Sequence, residues 1–220
     1  MTTLLLVHGM WHGAWCWDDV CARLSRPSVA VELPMRSLAH DAEVVRAALD
    51  SIDDEVVLVG HSYGGAVITA AGAHRRVRRL VYLAAFLLDE GESVSRVAPE
   101  LGIADTGLGA ALRFSEDRSE VRIDPELAPT LLYQRTSPAA VAQASARLRP
   151  VARAVFGERP NALAWRRVPS TYVICTEDRT VAPALQRVMA ARATDVVEWP
   201  SDHSPQASRP DDVAALLDSV

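Results

Sequence analysis

The succession of apolar runs and helical stretches predicts an α/β fold: a roughly six-stranded, mostly parallel sheet with helices on both faces and a small helical cap. Three observations lead there. Short continuous apolar runs such as Val56–Val59 alternate with helical stretches through the first third of the chain, the pattern of strands buried on both faces and joined by crossover helices. The alternation breaks between about 87 and 165, where Pro99, Pro125, Pro129, Pro138, Pro150 and Pro160 separate short helical patches, and then resumes. Finally, EVVLVGHSYGGAVITA, residues 55–70, sets a strand, a G-x-S-x-G turn and a helix in immediate succession, which is the local geometry of a strand-to-helix elbow.

Taken in order, Thr3–Val7 is a buried strand and His8–Gly13 the turn after it. A helix over Trp15–Leu24 leads to a strand at Val29–Leu33, and a helix at Asp41–Asp50 to the strand Glu55–Gly60. The helix Tyr63–Ala73 returns the chain to a fourth strand, Leu80–Ala84. Residues 87–165 keep abundant Leu, Ala and Val between their prolines, so they read as a cap folded over the site and not as a disordered linker. The core resumes with the strand Val168–Cys175, which contains the apolar TYVIC segment Thr171–Cys175. A helix at Ala182–Ala191, the strand Asp195–Trp199 and a helix at Pro210–Ser219 complete it. The expected organisation is one domain, 1–220, with the cap inserted within it and no internal repeats.

Composition is compatible with that plan. A chain of 220 residues with 49% hydrophobic and 23% charged residues is ordinary for a soluble globular domain, and this length buries roughly 70% of the unfolded surface. The formal net charge of -5 argues against a nucleic-acid footprint. All 23 basic residues are Arg, as GC-rich bacterial coding would give, and the lack of Lys excludes Schiff-base chemistry and a P-loop. Cys16, Cys21 and Cys175 are odd in number and scattered, so neither a disulfide framework nor a metal site is indicated and a reduced, cytoplasmic setting is expected. MTTLLLVHG lacks the basic start and the apolar length of a signal peptide. No stretch is long enough to span a membrane. No nucleic acid, membrane or cofactor is therefore expected as a partner, and a homodimer is left open.

The elbow makes Ser62 a candidate nucleophile, with Gly60 and Gly64 lacking side chains that would collide where strand and helix close on each other. A hydroxyl needs a base to take its proton and a carboxylate to orient that base. His203 follows the last strand and Asp178 the one before it, which puts both at the carboxyl edge on which parallel sheets build their sites. His61 sits inside the elbow and is expected to be structural. His8 and His12 come too early in chain order, and His40 and His74 flank helices. Glu177 remains an alternative acid, whereas Asp202, adjacent to His203, would have to fold back to reach its ring. The His8–Gly13 turn and the start of the elbow helix suggest two backbone N–H donors for an oxyanion, those of Met10 and Tyr63, reinforced by the positive end of that helix.

VHGMWHGAWCW, GHSYGGAVIT, YVICTEDRTV and SDHSPQASRP together resemble the α/β-hydrolase superfamily, in the branch of plant-type methylesterases and hydroxynitrile lyases with their bacterial relatives. The likeness runs nearly end to end. SPAAVAQASARLRP resembles the cap of that branch and AFLLDEGES the lead into it. The resemblance implies Ser62, His203 and Asp178 as a triad with Met10 and Tyr63 as oxyanion donors. The stretch from about Glu100 to Pro125 reads as shorter than in plant members, implying a reduced cap. Substrate-binding candidates are Gly9, Trp11, Ser204, Leu108, Phe114 and Tyr133, with Leu112 and Phe156 as further cap residues.

The activity expected is that of a carboxylesterase-like serine hydrolase, acting on a carboxylic ester or thioester of a small to medium hydrophobic molecule. Rivals are a tailoring enzyme that cyclises or releases a biosynthetic intermediate, a cyanohydrin lyase, and a receptor with little turnover. In the lyases of the branch a Thr follows the first-loop histidine and a Lys the catalytic one. Gly9 and Ser204 stand there, so the cation that would stabilise departing cyanide is missing. Gly9 is also expected to leave open space beside the oxyanion donors.

Overall fold

The structure, a computed structural model, describes residues 2–220. Its strands are β1 (Thr2–Val7), β2 (Ser28–Val31), β3 (Glu55–His61), β4 (Val77–Leu83), β5 (Leu112–Phe114), β6 (Glu120–Ile123), β7 (Val151–Ala152), β8 (Ser170–Cys175) and β9 (Asp195–Trp199). Six of them form one sheet in the order β2-β1-β3-β4-β8-β9, every neighbouring pair parallel. Register brings Val7 beside Gly60 and His61 beside Leu83, so the loops leaving β1, β3 and β4 emerge side by side.

Alternation along β1 divides the core. Leu4 and Leu6 join Val57, Val59, Trp17 and Leu217 on one face, while Leu5 and Val7 join Leu58, Val45, Leu49 and Ile68 on the other. Each such side chain, fully buried, contributes roughly 1.5–3 kcal/mol before the entropy of ordering it is counted. Helix Leu38–Ser51 starts earlier than the sequence predicts because Ser37 caps it, its hydroxyl accepting the His40 N–H at 3.1 Å. The expected helix over Trp15–Leu24 is instead a tight turn, Ala14–Trp17, followed by a short helix, Asp18–Cys21. Ala14 N–H is drawn to the Glu32 carboxylate at 2.7 Å, and Trp17 is fully buried under β1.

Between β4 and β8 lie short helices, among them Ala128–Leu132 and Pro138–Ala146, and also a three-stranded antiparallel sheet, β5-β6-β7. The sequence reading expected helical patches alone. Strands of two to four residues are too short to show a period of their own, and the β5–β6 hairpin is set by its turn, where Asp117 accepts from Ser119 N–H at 3.0 Å and Arg118 has φ +57°. Among the described residues no helix is long and apolar enough to cross a membrane.

Candidate active site

The elbow is built as its sequence requires. Ser62 has φ +53°, a left-handed conformation that costs a non-glycine residue on the order of 1–2 kcal/mol. Its backbone is held on both sides, N–H donating to Leu83 O at 3.2 Å and C=O accepting from Phe86 N–H at 3.0 Å. A Cβ on Gly60 would lie 2.6 Å from Gly64 O, and one on Gly64 2.5 Å from Val7 O; strand, helix and β1 could not close with larger residues. Trp11, Met35 and Ala84 also have positive φ. With Ser62 they occupy the loops leaving the first four strands, so backbone strain gathers on one edge of the sheet, as it does at functional sites.

That edge brings the three candidate residues together. His203 Nε2 lies 3.0 Å from Ser62 Oγ, and His203 Nδ1 lies 2.8 Å from Asp178 Oδ2. Asp178 is buried and fully engaged: Oδ1 accepts the N–H groups of Thr180 and Val181 at 2.7 and 3.0 Å, and Oδ2 also accepts Gln186 Nε2 at 2.8 Å. Sequence reasoning missed Gln186. It lies on the helix Pro183–Ala190 with no motif around it, and the only available signal was a polar residue on that helix's buried face. Glu177 turns outward to Arg135 at 2.7 Å. Asp202 is buried, but its oxygens accept Arg135 N–H at 2.9 Å and Ser208 Oγ–H at 2.7 Å, tying the segment between β4 and β8 to the C-terminal region. His61 is structural, its Nε2–H donating to His203 O at 2.8 Å.

Next to Ser62 lies the turn after β1. Neither Met10 N–H nor Tyr63 N–H has an acceptor among the described residues, so both remain available. Tyr63 anchors the elbow through its hydroxyl, which donates to buried Asp41 at 2.8 Å. Burial raises the Asp41 carboxyl above its usual range, offset only in part by the hydrogen bonds it accepts from Tyr63 and the Met35 N–H. Gly9 requires a correction: a Cβ there would meet Ser62 Cβ at 2.8 Å and His61 Nδ1 at 3.1 Å. Its hydrogen marks close packing of the turn on the nucleophile, and no open space exists on that side.

His8 and His12 are buried and neutral, burial pushing them down to about 3 and about 4. Their tautomers follow from their partners. His8 Nδ1–H donates to Gly9 O at 2.9 Å while Nε2 accepts Leu33 N–H at 3.0 Å. His12 Nδ1–H donates to Met10 O at 2.8 Å while Nε2 accepts the Tyr133 hydroxyl at 2.7 Å.

The substrate-binding candidates separate. Leu108 lines a cavity of about 260 Å³ with Phe86, Leu112, Phe156, Val181 and Leu185. Ser62, only 7% exposed, does not line it; Phe86, bonded to the Ser62 carbonyl, connects the two. Phe114 is 41% exposed beneath the Arg118 guanidinium and faces a second hollow with Phe156. Trp11 is buried with its indole N–H on Val121 O at 3.3 Å. Ser204 is buried and its hydroxyl has no partner among the described residues. Tyr133 is 3% exposed and its hydroxyl is taken by His12.

The model of the alpha/beta hydrolase family matches residues 4–216. Alpha/beta hydrolase nvfD of Aspergillus novofumigatus is 27% identical, over 97% of this chain and 94% of that protein. Methyl jasmonate esterase 1 of Vitis vinifera is 26% identical, over 98% and 95%. A crystal structure of a polyneuridine aldehyde esterase mutant superimposes with a TM-score of 0.86 at 22% identity, covering 99% of this chain and 98% of that one. The elbow, the parallel sheet and a match over nearly the whole length make this chain a member of the alpha/beta hydrolase family.

Proposed function

We propose that this protein is a serine hydrolase that cleaves a carboxylic ester or thioester of a small to medium hydrophobic molecule through an acyl-enzyme on Ser62. The observation that carries the reading is the unbroken hydrogen-bonded chain from Ser62 through His203 to Asp178, set beside two backbone N–H groups, of Met10 and Tyr63, that have no acceptor among the described residues. The domain reading of one unit, 1–220, capped by 87–165, belongs to the same proposal.

His203 Nε2 takes the hydroxyl proton as Ser62 Oγ attacks the carbonyl carbon. Charge gathers on the carbonyl oxygen, where Met10 and Tyr63 N–H donate, and such preorganised donors supply the largest part of acyl-transfer catalysis. Asp178 holds Nδ1–H and stabilises the imidazolium. Collapse of the tetrahedral intermediate breaks the bond to the alcohol or thiol, which leaves with the proton from His203. Water then repeats the sequence on the acyl-enzyme and regenerates Ser62. The cavity beside Phe86, lined mainly by Leu, Val, Ala and Phe, suits an uncharged hydrocarbon portion of the substrate. Esterase names among the relatives point the same way.

Fluorophosphonate labelling followed by a panel of p-nitrophenyl esters and thioesters tests the proposal. Labelling at Ser62 and multiple turnover of a short aryl ester are expected. Ser62→Ala should lose on the order of 10³-fold or more in kcat with its circular dichroism unchanged. A folded wild-type protein that neither labels nor turns over an ester would overturn the proposal in favour of a receptor.

A further inference from the structure

The turn that carries the Met10 N–H is held from two directions. Met10 lies between two peptide groups, and each has its carbonyl fixed by the ring N–H of a neutral imidazole: Gly9 O by His8 and Met10 O by His12. In a trans peptide N–H and C=O point oppositely, so fixing Gly9 O aims the Met10 N–H directly. The second nitrogen of each ring shows what holds the ring. For His8 it is the Leu33 N–H, from the loop after β2. For His12 it is the hydroxyl of Tyr133, just after the helix Ala128–Leu132 and so part of the cap.

A second cap residue acts on the same turn. Arg149 donates its N–H to Trp11 O at 2.9 Å, its Nε–H to His12 O at 2.9 Å and its Nη2–H to Leu33 O at 2.7 Å. The carbonyls of Met10, Trp11 and His12 are thus all occupied. Between them Trp11 sits at φ +63°, a conformation that persists only where its surroundings over-determine it.

We propose that Tyr133 is a positioning residue: its hydroxyl, bonded to His12, holds the oxyanion turn in its working geometry, so the cap sets the efficiency of the chemical step and not only the shape of the pocket. This rests on the esterase reading and deepens it. Tyr133 has no hydroxyl proton to offer a substrate in this geometry, since its one proton is committed to His12 Nε2.

The test compares wild type with Tyr133→Phe, His12→Asn and the double variant. Asn keeps a side-chain donor for Met10 O but is too short to place an acceptor where His12 Nε2 meets Tyr133. Removing an oxyanion donor outright costs about 10²–10³-fold, so loosening one should cost on the order of tenfold. Tyr133→Phe should therefore lower kcat on p-nitrophenyl acetate about tenfold while KM stays within about twofold. An alkyl trifluoromethyl ketone, whose Ser62 adduct carries the oxyanion, should weaken by the same factor, and preference among ester chain lengths should not move. Adding Tyr133→Phe to His12→Asn should change nothing further.

A Tyr133→Phe protein with unchanged kcat and a shifted KM or chain-length profile would make the residue a pocket wall and overturn the inference. So would a lowered melting temperature with wild-type kinetics, or full additivity in the double variant. In each of those cases the esterase reading stands, because the wild type is active. If the wild type labels with fluorophosphonate but turns over no ester, the comparison moves to the labelling rate, where the same tenfold loss is expected. A wild type that does not label overturns both.

Discussion

At the scale of single residues, Asp178 and Glu177 are neighbours whose environments assign them different work. Asp178 is buried, with each oxygen accepting at least two hydrogen bonds, one of them from His203. Glu177 is half exposed in an ion pair with Arg135, and such surface pairs contribute about 0–1 kcal/mol. Asp178→Asn should lower kcat by roughly 10³–10⁴-fold, because an amide cannot stabilise the imidazolium and favours the wrong tautomer. Glu177→Gln should leave kcat within about twofold. Steady-state kinetics on one ester measures both, and equal small effects would move the acid elsewhere. Ser62, Asp178 and His203 were legible in the sequence because an elbow motif and chain order mark them. Gln186 and the Tyr133–His12 bond were not, since they join residues 8 and 121 positions from their partners through packing that no local pattern encodes.

At the scale of elements, the core strands were legible because runs buried on both faces are continuously apolar, and their observed bounds differ from the expected ones by only a few residues. The segment between β4 and β8 was less so: its strands are two to four residues long and exist through pairing with one another. The turn after β1 is the informative case. Its His-Gly sequence suggested a donor loop, yet the sequence could not show that Gly9 is pressed against Ser62 Cβ. Placing at this position the Thr found in the lyases should therefore not convert the chemistry. Gly9→Thr is expected to displace the turn or the nucleophile, costing at least tenfold in esterase kcat, consistent with the sensitivity of oxyanion geometry. It should also release no cyanide from mandelonitrile above background, as Ser204 supplies no cation. Gly9→Thr with wild-type ester turnover would show that the turn yields easily and that the close contact is unimportant.

At the scale of the whole molecule, the buried imidazoles couple stability to pH. Burial lowers His8 and His12 from the ordinary 6.5 to about 3 and about 4, and it holds His61 well below its usual range. An unfolded chain protonates these rings as pH falls through 6.5, while the folded chain does not. The unfolded state then binds more protons, so unfolding free energy rises with pH across the interval between the folded and unfolded values and is lost on acidification within it. Between pH 7 and pH 5, His8 and His12 should each remove roughly 2 kcal/mol. The raised carboxyl of Asp41 works in the opposite direction and offsets part of this. Overall charge does not explain such a loss. The sequence pI is about 5.7, so acidification over this range carries the molecule through its least self-repelling state. Urea unfolding at both pH values should show a lower midpoint at pH 5 with an unchanged slope, and a stability loss of a few kcal/mol. Equal unfolding free energies at the two pH values would mean that the buried rings take up protons in the folded state, contradicting the neutral tautomers that hold the turn after β1.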